Sequence, residues 1–541
     1  MSEKNKRSNF IKQNGVKGIA AWTILFVFVI KMVYLSYQTG MNGVSFYAYG
    51  DILFILCYIL FGIAVLGIEK RLIYFQFNHG NYRNAMKVYR VITGMLLITA
   101  TIVSATLFFA APQLSTLLFH TKLCSLQIRI ISLAIWFWIV MFSIRGYMEG
   151  VGNPMPGIYA DLLSFLTALI VTILTQPAFT EYGTKVSALM RQDAYLYAYA
   201  SCSGALGLVI GGILGTMFLI MVRTVFGKEI RRRVRNDEAH KTDSTQDILW
   251  NFFSNYIKSV FIEHIGVILA VVLFVVYAHM SGLAQGGAGM LYVGMVVLIL
   301  PVALPAWQIG ASFTKQLTAI MKQADYHHAK ERMCFYMKLL SYVTLLPVVF
   351  GGVLASLLAE TLFDVEQEAL AGVIRIGMVC AVLVAFGIFF RQAMSVLIKP
   401  YVRNLCAGLF GVSGIGFWFI LSWSGQTPEE CVAYAYVLAN LLFFLLTGFL
   451  VLKKIRIYNR LFECLGISLI GAVIAAAAAF GIYTLLGAMV PSGVMMILSM
   501  GVAYLVFVLV CVFLHLFEAH EWREVPASGL PVALAKMIGK Y

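Results

Sequence analysis

Apolar stretches of about twenty residues recur from one end of the chain to the other, each closed by a short polar or charged segment. They fall at about 17–36, 46–67, 90–111, 128–148, 157–176, 199–223, 258–278, 290–312, 336–358, 372–397, 404–423, 431–452, 464–486 and 493–516. Twenty helical residues rising 1.5 Å each cross a hydrocarbon layer of about 30 Å. The pattern therefore predicts an all-α integral membrane protein with fourteen transmembrane helices. The first run is too long, and its flank too polar, for a cleaved signal peptide, so it reads as a start-transfer helix.

The pattern also repeats. "SIRGYMEGVGNPMPGIYAD" has a faded copy in "FFRQAMSVLIKPYVRN": Arg391 follows Arg145 by 246 residues, and Pro400 follows Pro154 by the same interval. Upstream, "GNYRNA" at 80–85 is echoed by "ADYHHA" at 324–329, and "STLLF" at 115–119 by "ETLF" ending at Phe363, both offset by 244. The first pair separates runs two and three, then eight and nine; the arginine–proline pair separates runs four and five, then ten and eleven. Runs one to six and seven to twelve are thus two copies of one six-helix unit, with two helices appended. Six is an even number, so both copies enter the membrane from the same side and are parallel repeats, as in some secondary transporters. The expected divisions are a cytoplasmic segment 1–16, a first lobe 17–223, a cytoplasmic loop 224–257, a second lobe 258–452, helices 13 and 14 within 453–516, and a cytoplasmic tail 517–541.

Composition agrees: of 541 residues 61% are hydrophobic and 12% charged, about half the share of a soluble domain, and the mean hydropathy is +0.86. Nine cysteines lie without paired or metal-type spacing and read as small core residues. The net charge of +15 is segregated rather than spread, which argues against a nucleic-acid partner. Alternate connections hold Lys4, Lys6, Arg7, Lys12 and Lys17; Lys70, Arg71, Arg83, Lys87 and Arg90; Arg223 through Lys241; Lys315, Lys322, Lys330, Arg332 and Lys338; Lys399 and Arg403; Lys453, Lys454, Arg456 and Arg460; and Arg523, Lys536 and Lys540. The opposite loops hold Lys122, Lys185 and Arg191, and "ETLFDVEQEA" and "QTPEEC" are acidic. By the positive-inside rule both termini are cytoplasmic and the chain is a multi-pass protein of the cell membrane. Arg231, Arg232, Arg233 and Arg235 then act as an orientation anchor on anionic lipid.

Several stretches resemble the MOP superfamily, closest to its polysaccharide-transport branch of SpoVB- and MurJ-like flippases. They are "GVSFYAYGDILFILCYILFGIAVLGI" at 43–68, "GNYRNAMKVYRV", "RGYMEGVGNPMP", "SGALGLVIGGILGTMFLIMV" at 203–222, "LPVALPAWQIGASFTKQL" at 300–317 and "YAYVLANLLFFLL". The resemblance implies a V-shaped, two-lobe carrier that works by alternating access on a lipid-linked oligosaccharide of the undecaprenyl-diphosphate type, with helices 13 and 14 lining a groove for the lipid tail. It implies no cofactor beyond a coupling ion, Na⁺ or a proton, and a monomer is expected. A MATE-type drug antiporter is the nearer alternative, although that branch usually has twelve helices. An integral-membrane glycosyl polymerase or ligase is the further one, disfavoured because the longest outer loop, about 177–198, carries only four charges.

A charge inside a membrane span costs at least about 2.5–3.5 kcal/mol at the helix centre and marks a candidate site. Lys31 in run one reads either as a snorkelling cation or as a phosphate ligand in the substrate cleft. Arg391 in run ten is assigned to the same cleft, as is Asn404 in run eleven, although Asn404 and Asn440 also read as ordinary interhelical hydrogen-bonding amides. Arg145 has acids to pair with, Glu149 four residues on and Asp161, and forms a structural ion pair; Arg391 has lost them, with Ser395 and Ala407 in their places. Glu263 and His264 are the adjacent titratable pair of run seven and the candidates for ion coupling; a salt bridge of Glu263 with Lys258 or Arg391 is the plain alternative. Pro301 and Pro305 in "LPVALP" predict a gating bend in run eight. Gly207, Gly211 and Gly215 share one helix face and predict close packing.

Overall fold

The structure is a computed structural model and describes residues 3–237, 242–281, 286–364, 368–425, 427–487, 489–522, 524–525 and 529–537. Of the loop charges named above, the side chains of Lys4, Lys6, Arg7, Lys12, Lys241, Glu366, Arg523, Lys536 and Lys540 lie outside the described residues. Those described form helices and turns, with no strand among them. Helix contacts divide the chain into Met1–Gly289 and Met290–Tyr541. Run seven is therefore counted with the first unit, whereas the sequence reading begins the second lobe at 258.

The first unit holds α1 (Glu3–Cys57), α2 (Ala64–Asn78), α3 (Tyr82–Phe109), α4 (Ala111–Phe119), α5 (Ser125–Gly150), α6 (Met155–Met190), α7 (Ala194–Ala200), α8 (Cys202–Arg235), α9 (Thr245–Glu263) and α10 (Ile265–Ser281). The short α11 (Gly287–Tyr292) leads into the second unit, with α12 (Leu300–Lys322), α13 (Tyr326–Val353), α14 (Ala355–Phe363), α15 (Glu368–Leu397), α16 (Pro400–Leu421), α17 (Pro428–Ile455), α18 (Ile467–Leu486), α19 (Ser492–Phe513), α20 (Ala519–Trp522) and α21 (Gly529–Met537). Turns of π-helix lie at Tyr58–Ile63, Val293–Val297 and Phe462–Gly466.

Twelve helical stretches among the described residues are long and apolar enough to cross a membrane, and thirteen if the bent pair α9–α10 is one span. The first, Gly15–Asn78, carries both run one and run two, so thirteen of the fourteen runs fall on these stretches and run seven on the bent pair. Its 64 residues would extend about 96 Å if straight, three times the hydrocarbon thickness. Gly40, at φ 62° and ψ −174°, breaks it. That backbone conformation is open essentially to glycine alone.

The helices are apolar on both sides for different reasons. On α3, Ala85, Val88, Ile92, Leu96 and Ala100 recur at helical spacing and are buried in the unit, while Ile98 and Ile102 are exposed. A helix apolar all round suits a lipid-facing position. In the first unit Trp138 is the central core side chain, edge-on to Phe54 at 5.5 Å and donating its indole N–H to the Leu208 carbonyl at 3.0 Å. In the second, Phe313 stacks on Phe389 at 5.2 Å and meets Tyr336 at the same distance. Helices α18 and α19 pack on α13 through Ser341 and Ser468, whose hydroxyls are 2.9 Å apart, and through Tyr342 and Phe507 at 5.2 Å.

The repeat seen in the sequence is also a repeat of local structure. Helices α3 and α13 both have 28 residues, begin 244 residues apart, and break at a single residue, Ala110 or Leu354. Helices α4 and α14 follow, nine residues each, and end on left-handed caps at His120 and Asp364. The turns before α3 and α13 also take left-handed residues at matching places, Gly80 and Ala324.

Two expectations need correction. The outer loop placed at 177–198 is helical: α6 continues through Pro177 to Met190, with Lys185 and Glu181 paired at 2.6 Å across one turn. Run seven is not one straight helix, because α9 and α10 meet at His264 with a bend of 65°.

Candidate functional site

Among the described residues of the first unit, two groups of buried charges stand out. One is built by the break in α1. Lys31 and Tyr47 are 16 residues apart, about 24 Å along a straight helix. Because Gly40 turns the chain, Lys31 Nζ donates to the Tyr47 hydroxyl at 2.5 Å, and that hydroxyl donates to Asp51 Oδ1 at 2.7 Å. Tyr47 and Asp51 are four residues apart on one helix face. The ammonium also lies 4.7 Å from the Tyr47 ring centre and 5.6 Å from that of Phe28. Lys31 is 3% and Asp51 2% exposed. A buried cation connected through a phenol to a buried carboxylate offsets much of the desolvation cost of both charges and makes a continuous hydrogen-bonded path. Gly204 leaves room for the tyrosine, since a Cβ there would stand 2.6 Å from its ring. Lys31 therefore neither snorkels to a headgroup nor stands open to a ligand.

The second place joins α2, α5 and α6. Arg145 donates from Nε to Glu149 at 2.8 Å and from Nη1 to Asp161; Lys70 holds the other oxygen of Glu149 at 2.8 Å. Glycine again makes the approach: at Gly157 a Cβ would stand 2.7 Å from Arg145 Cγ. One turn before Ile73 on α2, Glu69 is fully buried, and neither of its oxygens has a hydrogen-bond partner among the described residues.

The coupling candidates Glu263 and His264 sit at the bend between α9 and α10. Glu263 is exposed and accepts a hydrogen bond from Ser259 at 3.2 Å; His264 is half-buried and caps α9. In the second unit Arg391 is half-buried on α15 and engaged with a neighbour, so it is not the orphaned cation that the loss of its acids predicts. Asn404 is exposed on α16, and Asn440 is buried on α17, donating to the Tyr436 carbonyl at 2.8 Å. Pro301 lies in the first turn of α12, just after the π-helical turn Val293–Val297; Pro305 is inside the helix. Among the described residues no three His, Cys, Asp or Glu side chains cluster as a metal site would require.

No protein-family profile matches the chain, and no curated protein does. Solved structures do match. An inward-facing multidrug resistance MATE family transporter of the MOP superfamily superposes with a TM-score of 0.61 at 14% identity, over 82% of this chain and 99% of that one. The lipid II flippase MurJ, in an inward closed conformation, superposes with a TM-score of 0.63 at 14% identity, over 92% of this chain and 98% of that one. This chain has the MOP-superfamily fold. A MATE structure in complex with MaD3S is similar at a TM-score of 0.51, over 81% of this chain and 96% of that one.

Within the MOP fold, the sequence reading missed Asp51 and Glu69. Both signals were present: Asp51 is an acid within run two, and Glu69 stands two residues beyond its end. Gly40 lies in the polar connection between runs one and two, where the sequence already places a break; what the runs do not report is that the turn there brings Lys31 against Tyr47. Pro177, inside α6, leaves its helix continuous.

Proposed function

We propose that the chain is a membrane carrier that moves a lipid-linked sugar, a cell-envelope polysaccharide precursor, across the cell membrane by alternating access, coupled to a Na⁺ or proton gradient, with both termini cytoplasmic. The observation that carries this reading is coverage. The MurJ structure spans 92% of the chain and the inward-facing MATE structure 82%. That difference is about the length of residues 458–513, the stretch bearing the last two long helices. A terminal helix pair suits a cargo with a lipid tail more than a small soluble drug. Lys31 is engaged by Tyr47 and Arg391 by a neighbour, so in this reading each cation reaches a phosphate only where its contact opens during the cycle, whereas Asn404 is exposed.

A second reading, a cation-coupled drug antiporter, is favoured by one observation: the first unit buries the acids Asp51 and Glu69, and among the described residues neither is held by an arginine. Depletion separates the two. A strain depleted of the protein is expected to accumulate an undecaprenyl-linked saccharide in its membranes. Unchanged lipid-linked pools together with increased drug sensitivity would replace the flippase with the antiporter.

A further inference from the structure

Glu69 is a carboxyl with nothing to hold it. It has no exposed surface, and both oxygens lack a hydrogen-bond partner among the described residues. Helix α5 closes directly over it, since a Cβ on Gly146 would stand 2.5 Å from Oε2. The charged and titratable groups on the helices around it are committed elsewhere. On α5, Arg145 serves Glu149 and Asp161; on α2 itself, Lys70 serves Glu149. On α8, the Arg223 guanidinium lies over the rings of Tyr89 of α3 and Tyr147 of α5, at 4.7 and 5.7 Å. On α9, Tyr256 donates to the Leu60 carbonyl at 3.0 Å, and the Asp247 carboxylate accepts at 2.6 Å from the hydroxyl of Ser244, the residue that caps the helix. Tyr89 is the exception: its hydroxyl is buried and has no hydrogen-bond partner among the described residues, and it makes no hydrogen bond to Glu69.

An ionised carboxylate in such surroundings loses its hydration without gaining a donor or a counter-charge, and a buried group in that position is neutralised instead. Two neutralising occupants are chemically available, a metal cation and a proton. A hard metal cation needs a shell of oxygens, and the close approach of α5 at Gly146 leaves no room for one. A proton needs no shell.

We propose that Glu69 is a proton-binding site that controls the contact of α2 with α5. A carboxylate oxygen takes a proton from water when the two helices part, forming one O–H bond, and the neutral acid lets them close. Loss of that proton favours the open contact. The site goes beyond the question of cargo; if the chain is the carrier proposed above, it adds a proton step within the first unit. The sign follows from linkage: the closed contact binds one proton more than the open one, so it is stable at low pH and weakens as pH rises.

The full chain in lipid vesicles, with the proton as the probe, tests this without any cargo. Infrared spectra near neutral pH, in H₂O and D₂O, are expected to show a deuterium-sensitive band of a protonated carboxylic acid that is missing from Glu69→Gln and from Glu69→Met. Hydrogen exchange of residues 64–78, divided by that of Glu69→Gln at the same pH, is expected to rise about tenfold per pH unit across the neutral range. Identical infrared spectra for wild type and both variants would overturn the site. A flat exchange ratio would overturn its control of α2. Neither result depends on whether the chain moves a lipid or a drug.

Discussion

Replacing Arg145 by methionine keeps the apolar stem of the side chain and removes the guanidinium that joins α5 to α6. Glu149 then keeps Lys70 at 2.8 Å, whose side chain is 42% exposed. Asp161 loses its partner: its Oδ2 is held by Arg145, and its Oδ1 already has none. Breaking a buried pair by removing one partner costs about 3–5 kcal/mol, while weakening a half-exposed pair costs about 1 kcal/mol or less. Arg145→Met should therefore destabilise the first unit by about 3–5 kcal/mol, nearly all through Asp161. In an Asp161→Asn background the same change should cost only about 1–2 kcal/mol, a coupling of about 2–3 kcal/mol between the two residues. The assay is the unfolding midpoint in mild detergent, followed by the fluorescence of Trp136 and Trp138 on α5. Equal costs in both backgrounds would refute the argument, because the stranded charge on Asp161 would then not be the source of the loss.

Three further outcomes follow from the same structure. At Gly211 a new Cβ would stand 2.3 Å from the Ser164 carbonyl oxygen, so Gly211→Ala should lower stability by about 1–3 kcal/mol despite its better helix propensity. Gly416→Ala, which meets nothing within 4 Å, should be neutral or stabilising in the same melt, and equal effects would contradict the packing account. Lys31 should resist acylation by an amine reagent that labels Lys185, as peptide mass spectrometry would show, because it is buried against Tyr47; equal labelling would contradict that contact. Glu263→Gln should leave stability within about 0.5 kcal/mol, since the side chain is exposed at the bend. If Glu263 holds the coupling ion, the same variant abolishes the gradient dependence of transport, and undiminished coupling would remove it from the mechanism.

What was legible in the chain was periodic. Apolar runs mark spans because lipid imposes one length and one polarity on every crossing segment, and the 244-residue repeat reappears in α3 and α13 residue for residue. Arg145, Glu149 and Asp161 were legible as a group because one pair is a helical turn apart and the other faces it across a proline turn. What stayed hidden depended on single backbone angles. Gly40 brings Lys31 to Tyr47 and Asp51, and no periodicity reports a φ of 62°. The bend at His264 divides a run that reads as continuous, moving Glu263 from a helix interior to an exposed end. Glu69 was hidden for a different reason: it looks like a loop-side acid next to Lys70 and Arg71, and only the closeness of Gly146 shows that it is enclosed.

The central claim is that this chain carries a lipid-linked sugar, and the leaflet distribution of such a lipid tests it most directly. The purified protein would be reconstituted into vesicles containing an undecaprenyl-diphosphate-linked saccharide with a fluorescent label, and a membrane-impermeant quencher added under an imposed Na⁺ or proton gradient. The account predicts that the quenchable fraction moves away from the value in protein-free vesicles, and that Arg391→Ala slows the change. A quenchable fraction that stays at the protein-free value, from vesicles in which the same protein drives gradient-dependent movement of a cationic dye, would contradict it.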